Sequence, residues 1–135
     1  MTGPALHHVL DINVDFDLDL PYPSVSGERG FLRASGGTIN GAGIDGTVEP
    51  QAGDWLIRRP DGILENDQRI FFTTASGQHI YMRNLGFTDS SGRFHCTPRF
   101  DTEAGAHDWL TRSVFAGVGH LDSAGFEIRV YRLED

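Results

Sequence analysis

From residue 10 to residue 19 the chain alternates without a break. Leu10, Ile12, Val14, Phe16 and Leu18 are apolar, and Asp11, Asn13, Asp15, Asp17 and Asp19 fall between them. Successive side chains of an extended strand point to opposite faces, so one face of this segment enters a core and the other meets water. A row of apolar side chains on a strand needs further strands to cover it. The rest of the chain supplies them: its 17 glycines cut it into short apolar stretches, the rhythm of short strands joined by tight turns. No longer stretch carries a clean helical apolar period. Pro21 and Pro23 are expected to end the first strand. The acidic row reads as a solvated face, since its spacing fits a calcium loop poorly.

Downstream, residues 24–53 read as loop-rich, with a short strand over Phe31 to Ser35. Gly36-Gly37 and Gly41-Ala42-Gly43 suit bulges and barrel corners. They are no phosphate loop, because no Gly-Lys-Ser/Thr follows. A three-stranded meander occupies the centre: Asp54 to Arg59, Ile63 to Thr74, and His79 to Leu85. Arg59-Pro60-Asp61-Gly62 and Ala75-Ser76-Gly77-Gln78 are its turns. Phe94 to Phe100 follows as a strand interrupted by Pro98, then a short helical turn within 102–110 anchored by Trp109, then a last hairpin from Arg112 to Leu133. The count is about eight strands. Eight closes an antiparallel β-barrel with room for side chains or one small ligand, so the fold class expected is an all-β closed barrel.

At 135 residues the chain fits a single β-barrel domain over 1–135. No apolar run approaches the ~20 residues of a membrane helix, and no signal peptide is expected at the N-terminus. The lone Cys96 excludes an internal disulfide and fits a reducing, cytoplasmic setting. The net charge of −8 argues against nucleic acid as a partner. All 11 basic residues are arginine, so no lysine can form a Schiff base with a carbonyl substrate or with pyridoxal phosphate.

Polar side chains pointing into a barrel are the ones that matter for chemistry. Pairing across the 75–78 turn, read with Thr74 opposite His79, gives two mutually exclusive faces. A pocket is apolar with a few convergent polar groups. That favours the face of Phe71, Met82, Ile80, Arg69, Asn84 and Asp67 as the inner one. Arg69 can clamp a carboxylate and Asn84 can hold a carbonyl or hydroxyl, while Asp67 orients Arg69 or acts as a base. An Arg–Asp pair of this spacing can equally be a structural ion pair. Asp54, beside Gly53, can serve as an acid or base or can cap a turn. Tyr81 and Tyr131 offer phenol hydroxyls or simple packing. The six histidines form no spaced metal motif. Neighbours in a strand face apart, so His95 cannot readily activate Cys96. Gly-x-Ser-x-Gly is absent.

Several short stretches occur together in order: Ser35-Gly36-Gly37-Thr38, Gly53-Asp54-Trp55, Arg59-Pro60-Asp61-Gly62, Asp67-Gln68-Arg69, Pro98-Arg99-Phe100-Asp101, and Trp109 to Gly117. As a set they resemble the small barrel family catalogued as domain of unknown function 3237, over nearly the whole chain. The resemblance implies an antiparallel barrel in a cytoplasmic protein. It matches the family's polar positions at Asp54, Asp67, Arg69 and Trp109. The chain departs from the usual pattern at Asn66, Asp101 and Thr111, where Leu, Glu and Asn are common. Some members are cofactor-independent decarboxylases of phenolic acids. The function implied is therefore a lyase for a small aromatic carboxylic acid, with no cofactor and no metal. Asp54, Asp67, Arg69 and Tyr81 would be catalytic. Asn84, Trp109, Met82, Phe71 and Tyr131 would line the substrate. Another acid–base enzyme in the same pocket, a non-catalytic ligand carrier and a filled structural barrel, any of them possible as a homo-oligomer, are the competing readings.

Overall fold

The computed structural model describes residues 3–135. It contains nine strands: β1 (Ala5–Ser24), β2 (Gly27–Gly41), β3 (Ile44–Val48), β4 (Gly53–Arg58), β5 (Leu64–Thr74), β6 (His79–Thr88), β7 (Arg93–Thr102), β8 (Phe115–Leu121) and β9 (Gly125–Glu134). A 3-10 turn, Asp108–Arg112, lies between β7 and β8. Every pairing is antiparallel. β3 and β4 both bridge β2 to β5, one at each end. They share one position in the ring, so nine strands close a barrel of eight positions. Closure leaves few unpaired edges.

Four sequence expectations change. The segment 24–53 is mostly strand, because β2, β3 and the start of β4 lie there. Pro21 and Pro23 do not end β1, which runs on to Ser24 as a hairpin arm with β2. β9 leaves β1 after Asp15, so the prolines sit where one edge of β1 is unpaired and no ladder bond is lost there. Pro98 likewise does not interrupt β7; it lies beyond the last β7–β8 pair, Cys96 with Gly117. The helical turn falls at 108–112, later than expected. It seats buried Leu110, with Trp109 packed on Phe115, against the core near the start of β8.

The most consequential difference is register. Thr73 pairs with His79, not Thr74. The β5–β6 loop has three residues rather than four. Gly77 accepts φ 85° and its amide donates to the Thr74 carbonyl (2.9 Å), while the Thr74 amide donates to the Gln78 carbonyl (2.8 Å). This is a type I turn closed by a left-handed glycine. One residue of slip turns every β5 side chain over. Leu64, Asn66, Gln68, Ile70, Phe72 and Thr74 face inward; Asp67, Arg69 and Phe71 face out.

The core is continuous. Leu10, Ile12 and Val14 pack with Ile128 and Val130 on one wall, and Ile70, Phe72, Ile80 and Met82 fill the half nearer the β5–β6 turn. Where β1 crosses β2, Gly37 has φ 132°, and a Cβ there would overlap the Asn13 carbonyl oxygen. Gly37→Ala is expected to destabilise the fold by about 3 kcal/mol or more, read as a drop in the urea midpoint.

Candidate functional site

The β1–β2, β4–β5, β6–β7 and β8–β9 connections gather at one end of the barrel. A mouth of about 490 Å³ opens there. Its wall is Phe16, Leu32, Leu56, Leu64 and Leu121. A bulge in β1 around Asp17 reverses the strand's alternation. Asp19, which the sequence places in the solvated row, therefore pairs with Leu32 and joins the mouth. Glu28 and Arg58, partners across β2 and β4, stand on the same rim, and Asp122 enters from the β8–β9 turn.

One layer beneath the mouth lies Asp54. It is two residues before Leu56 on the same face of β4, about 6.5 Å along the strand. The entry to β4 is tight: Ala52 holds φ 59°, and a Cβ on Gly53 would overlap the Leu32 carbonyl oxygen. Asp54 pairs with Leu32 and Gln68 on the inner face, so its carboxyl enters the barrel, where it is 0% exposed. Of the two roles open to it from sequence, it does not cap a turn.

Only donors surround it. Asn66 Nδ2 donates to Oδ2 at 2.8 Å and Gln68 Nε2 to the same oxygen at 3.3 Å, while the Asp67 backbone amide donates to Oδ1 at 3.1 Å. These amides are held in turn. Thr88 Oγ1 donates to Asn66 Oδ1 at 2.8 Å, and Asn84 Nδ2 to Gln68 Oε1 at 3.0 Å. Neither Asn66 nor Gln68 can flip without losing its own donor. The arrangement is an amide relay with its donors aimed at one carboxylate. No guanidinium among the described residues pairs with it. Burial pushes the carboxyl up to about 6, against the pull of the three donors. It is thus ionised at neutral pH, dry, and near the value at which a proton is given and taken with equal ease.

Asn84 Oδ1 has no partner among the described residues. The nearby Cys96 thiol is pushed up to about 12 by burial, with the Asn84 amide pulling the other way. It is a packed, protonated thiol rather than a nucleophile.

Of the residues singled out from sequence, Asp54, Asn84 and Met82 are inside, and Gln68 links the first two. Asp67 and Arg69 are outside, 4.0 Å apart, with Arg83 bonded to Asp67. Phe71 and Tyr81 stack on each other on the outer surface, 5.3 Å between ring centres. Tyr131 stacks on His8 outside. Trp109 lies under the Arg132 guanidinium, away from the mouth. Sequence reasoning noted Asn66 as a departure from the family pattern and Gln68 within a motif but gave neither of them, nor Thr88, a place in the site. The signal was present in β5: Glu65, Asp67 and Arg69 carry charge on one parity, while Asn66 and Gln68 are amides that share a parity with Ile70 and Phe72.

Fold and site together define a small closed β-barrel with an open mouth and a buried carboxyl below it. The chain belongs to the family of proteins of unknown function DUF3237, whose pattern matches residues 4–133. It is 28% identical over 122 residues to a UPF0311 protein of Rhodopseudomonas palustris, covering 76% of this chain and 80% of that one. A crystal structure of a conserved protein from the same species superposes with a TM-score of 0.91 at 23% identity, over 98% of this chain and 99% of that one. A β-barrel-like protein of Acinetobacter baumannii superposes at 0.88, with 21% identity and 99% and 98% coverage. A Penicillium herquei protein called an enzyme superposes at 0.79, with 21% identity and 99% and 97% coverage. These likenesses establish the barrel. No helix among the described residues is long and apolar enough to cross a membrane.

Proposed function

We propose that this protein is a cofactor-independent acid–base enzyme that moves a proton on a small, largely apolar substrate seated in the mouth, with Asp54 as the proton acceptor and donor. The observation that carries the reading is a fully buried carboxyl, fed only by hydrogen-bond donors, one side-chain layer below an open cavity. A structural ion pair would place a cation beside it; a filler would be apolar. The kinship in fold with a protein called an enzyme supports catalysis over storage.

The chemistry is economical. Asp54 takes a proton from a carbon or hydroxyl of the substrate, and the three donors stabilise the carboxylate before the transfer. The same carboxyl returns the proton at a second position. No atom is lost or gained, so an isomerisation or an isomerising cyclisation fits; a hydration fits where the proton Asp54 takes comes from a water that adds to the substrate. The decarboxylation of a phenolic acid fits less well, because Arg69, the residue meant to grip the carboxylate, is outside the barrel. The mouth carries Asp17, Asp19, Glu28 and Asp122 against Arg29 and Arg58, an acidic excess that favours an uncharged ligand over an anion. Leu56 and Leu64, each 7% exposed, line the mouth while Asp54 does not, so on this reading they must change rotamer before ligand and carboxyl can meet.

The test needs no knowledge of the product. The protein is incubated in deuterated water with a panel of neutral ketones, phenols and enols, and of phenolic acids, and each compound is followed by mass spectrometry. Deuterium uptake or isomer formation at unchanged carbon count supports the reading. Loss of carbon dioxide from an acid would replace it with the decarboxylase. A panel that binds in the mouth and never exchanges would make the barrel a carrier.

A further inference from the structure

The outer face of the barrel opposite β1 carries a feature that the mouth does not use. Arg69 of β5 is the direct cross-strand partner of Arg83 of β6, and Arg83 is the direct partner of Arg99 of β7. Three guanidinium-bearing side chains thus stand in one row across three adjacent strands, all pointing to solvent. Partners of this kind have Cβ atoms about 5 Å apart, and like charges placed so repel. Three of the protein's 11 cations are concentrated here, on a chain of net charge −8.

The local carboxylates do not balance the row. Asp67 contacts Arg83 at 3.4 Å and Arg69 at 4.0 Å, so one acid is shared by two arginines. Asp101, next on the face, has Oδ1 turned back to accept the Thr102 amide at 3.0 Å. Arg99 makes no ion pair within 4.0 Å among the described residues. On one side of the row is the Phe71–Tyr81 stack, on the other Leu85 and Thr97. The repulsion is relieved by a ligand that brings several negative oxygens to two or three guanidiniums at once, each able to bind them in a bidentate fork.

We infer that the Arg69–Arg83–Arg99 row is a binding site for a multivalent oxyanion, a di- or polyphosphate or a polycarboxylate, on the outside of the barrel and independent of the mouth. The probes are pyrophosphate and citrate, titrated at matched ionic strength into the full chain. Calorimetry and the arginine Nε–H signals of a nitrogen-15 NMR spectrum are the readouts. Saturable binding is expected, with the shifts confined to Arg69, Arg83 and Arg99. Preference for pyrophosphate identifies phosphate as the group read, and preference for citrate identifies carboxylate. Arg83→Gln should weaken binding about tenfold or more, while Arg129→Gln, on the outer face of β9 where it pairs with Asp11 of β1, should leave it unchanged. A second variant separates ligand binding from structure. In anion-free buffer Arg99→Gln should melt at or above the temperature of the parent, because it removes a repulsion, and pyrophosphate should raise its melting temperature less than it raises the parent's. Binding that never saturates, that survives Arg83→Gln unchanged, or an Arg99→Gln protein that melts lower without anion, would overturn the site.

Discussion

Asp54→Asn is expected to lower the rate of catalysed proton exchange by about 10²- to 10⁴-fold on any substrate the parent turns over, with binding in the mouth retained. Asparagine keeps the shape but cannot accept a proton at this pH; its amide nitrogen would also face donors, so folding and ligand binding of the variant are measured before its rate is read. The loss should fall on kcat, since Leu32, Leu56 and Leu64, which form the apolar wall, are untouched. The parent's rate should decline as pH drops through about 6, where the carboxyl gains its proton and stops acting as a base. Both effects are read from initial rates across pH 4.5 to 8 by the deuterium assay. A variant that folds, binds and turns over at the parental rate would remove Asp54 from the chemistry.

The second large effect is on stability. Asp54 binds its proton more tightly folded, at about 6, than unfolded, near 3.8. Between those values the folded state holds more protons than the unfolded state, so stability falls as pH rises. The contribution is complete below about pH 3.8 and lost above about 6. The difference in proton affinity between the two states corresponds to roughly 3 kcal/mol. Urea midpoints for the parent should therefore drop between pH 4 and pH 7 relative to Asp54→Asn, whose curve lacks this slope. Comparing the two cancels the exposed carboxyls, such as Asp17 and Asp122, which their hydrogen bonds hold below the usual range. Asn66→Leu sharpens the same measurement. It removes the 2.8 Å donor to Asp54 and strands the Thr88 hydroxyl, so the slope should shift to higher pH and the fold should lose about 2 kcal/mol at pH 7. Parallel curves for parent and Asp54→Asn would mean that the carboxyl does not titrate in this window.

Asn66 also shows what one side chain contributes to the site: a leucine there could not donate to a carboxylate. With asparagine there, the chain has one more donor on Asp54 and one more reason for that carboxyl to be ionised at neutral pH. Nothing in the structure gives Thr111 a comparable role; its hydroxyl donates to the Asp108 carbonyl within the 3-10 turn.

What the sequence determined by itself follows from rules that act over a few residues. The alternation from Leu10 to Phe16 marked a strand with one buried face, and those residues are inside, Phe16 at the mouth. Glycine spacing marked the turns, and counting strands led to a closed ring of eight positions. What only the tertiary structure decided depends on an offset of one residue. The left-handed Gly77 makes the β5–β6 loop three residues long, and that alone puts Arg69, Asp67 and Phe71 in water and Asn66 and Gln68 in the interior. The β1 bulge does the same to Asp19. Because side-chain direction in a strand has period two, a single slipped residue inverts a whole face. Strand identity is robust to such a slip, and site identity is not. Asp54 could be singled out from the sequence, but its surroundings could not. Its partners arrive from β5 and, through them, β6, and the β4–β5 register that sets Asp54 opposite Gln68 decides which side chains reach it.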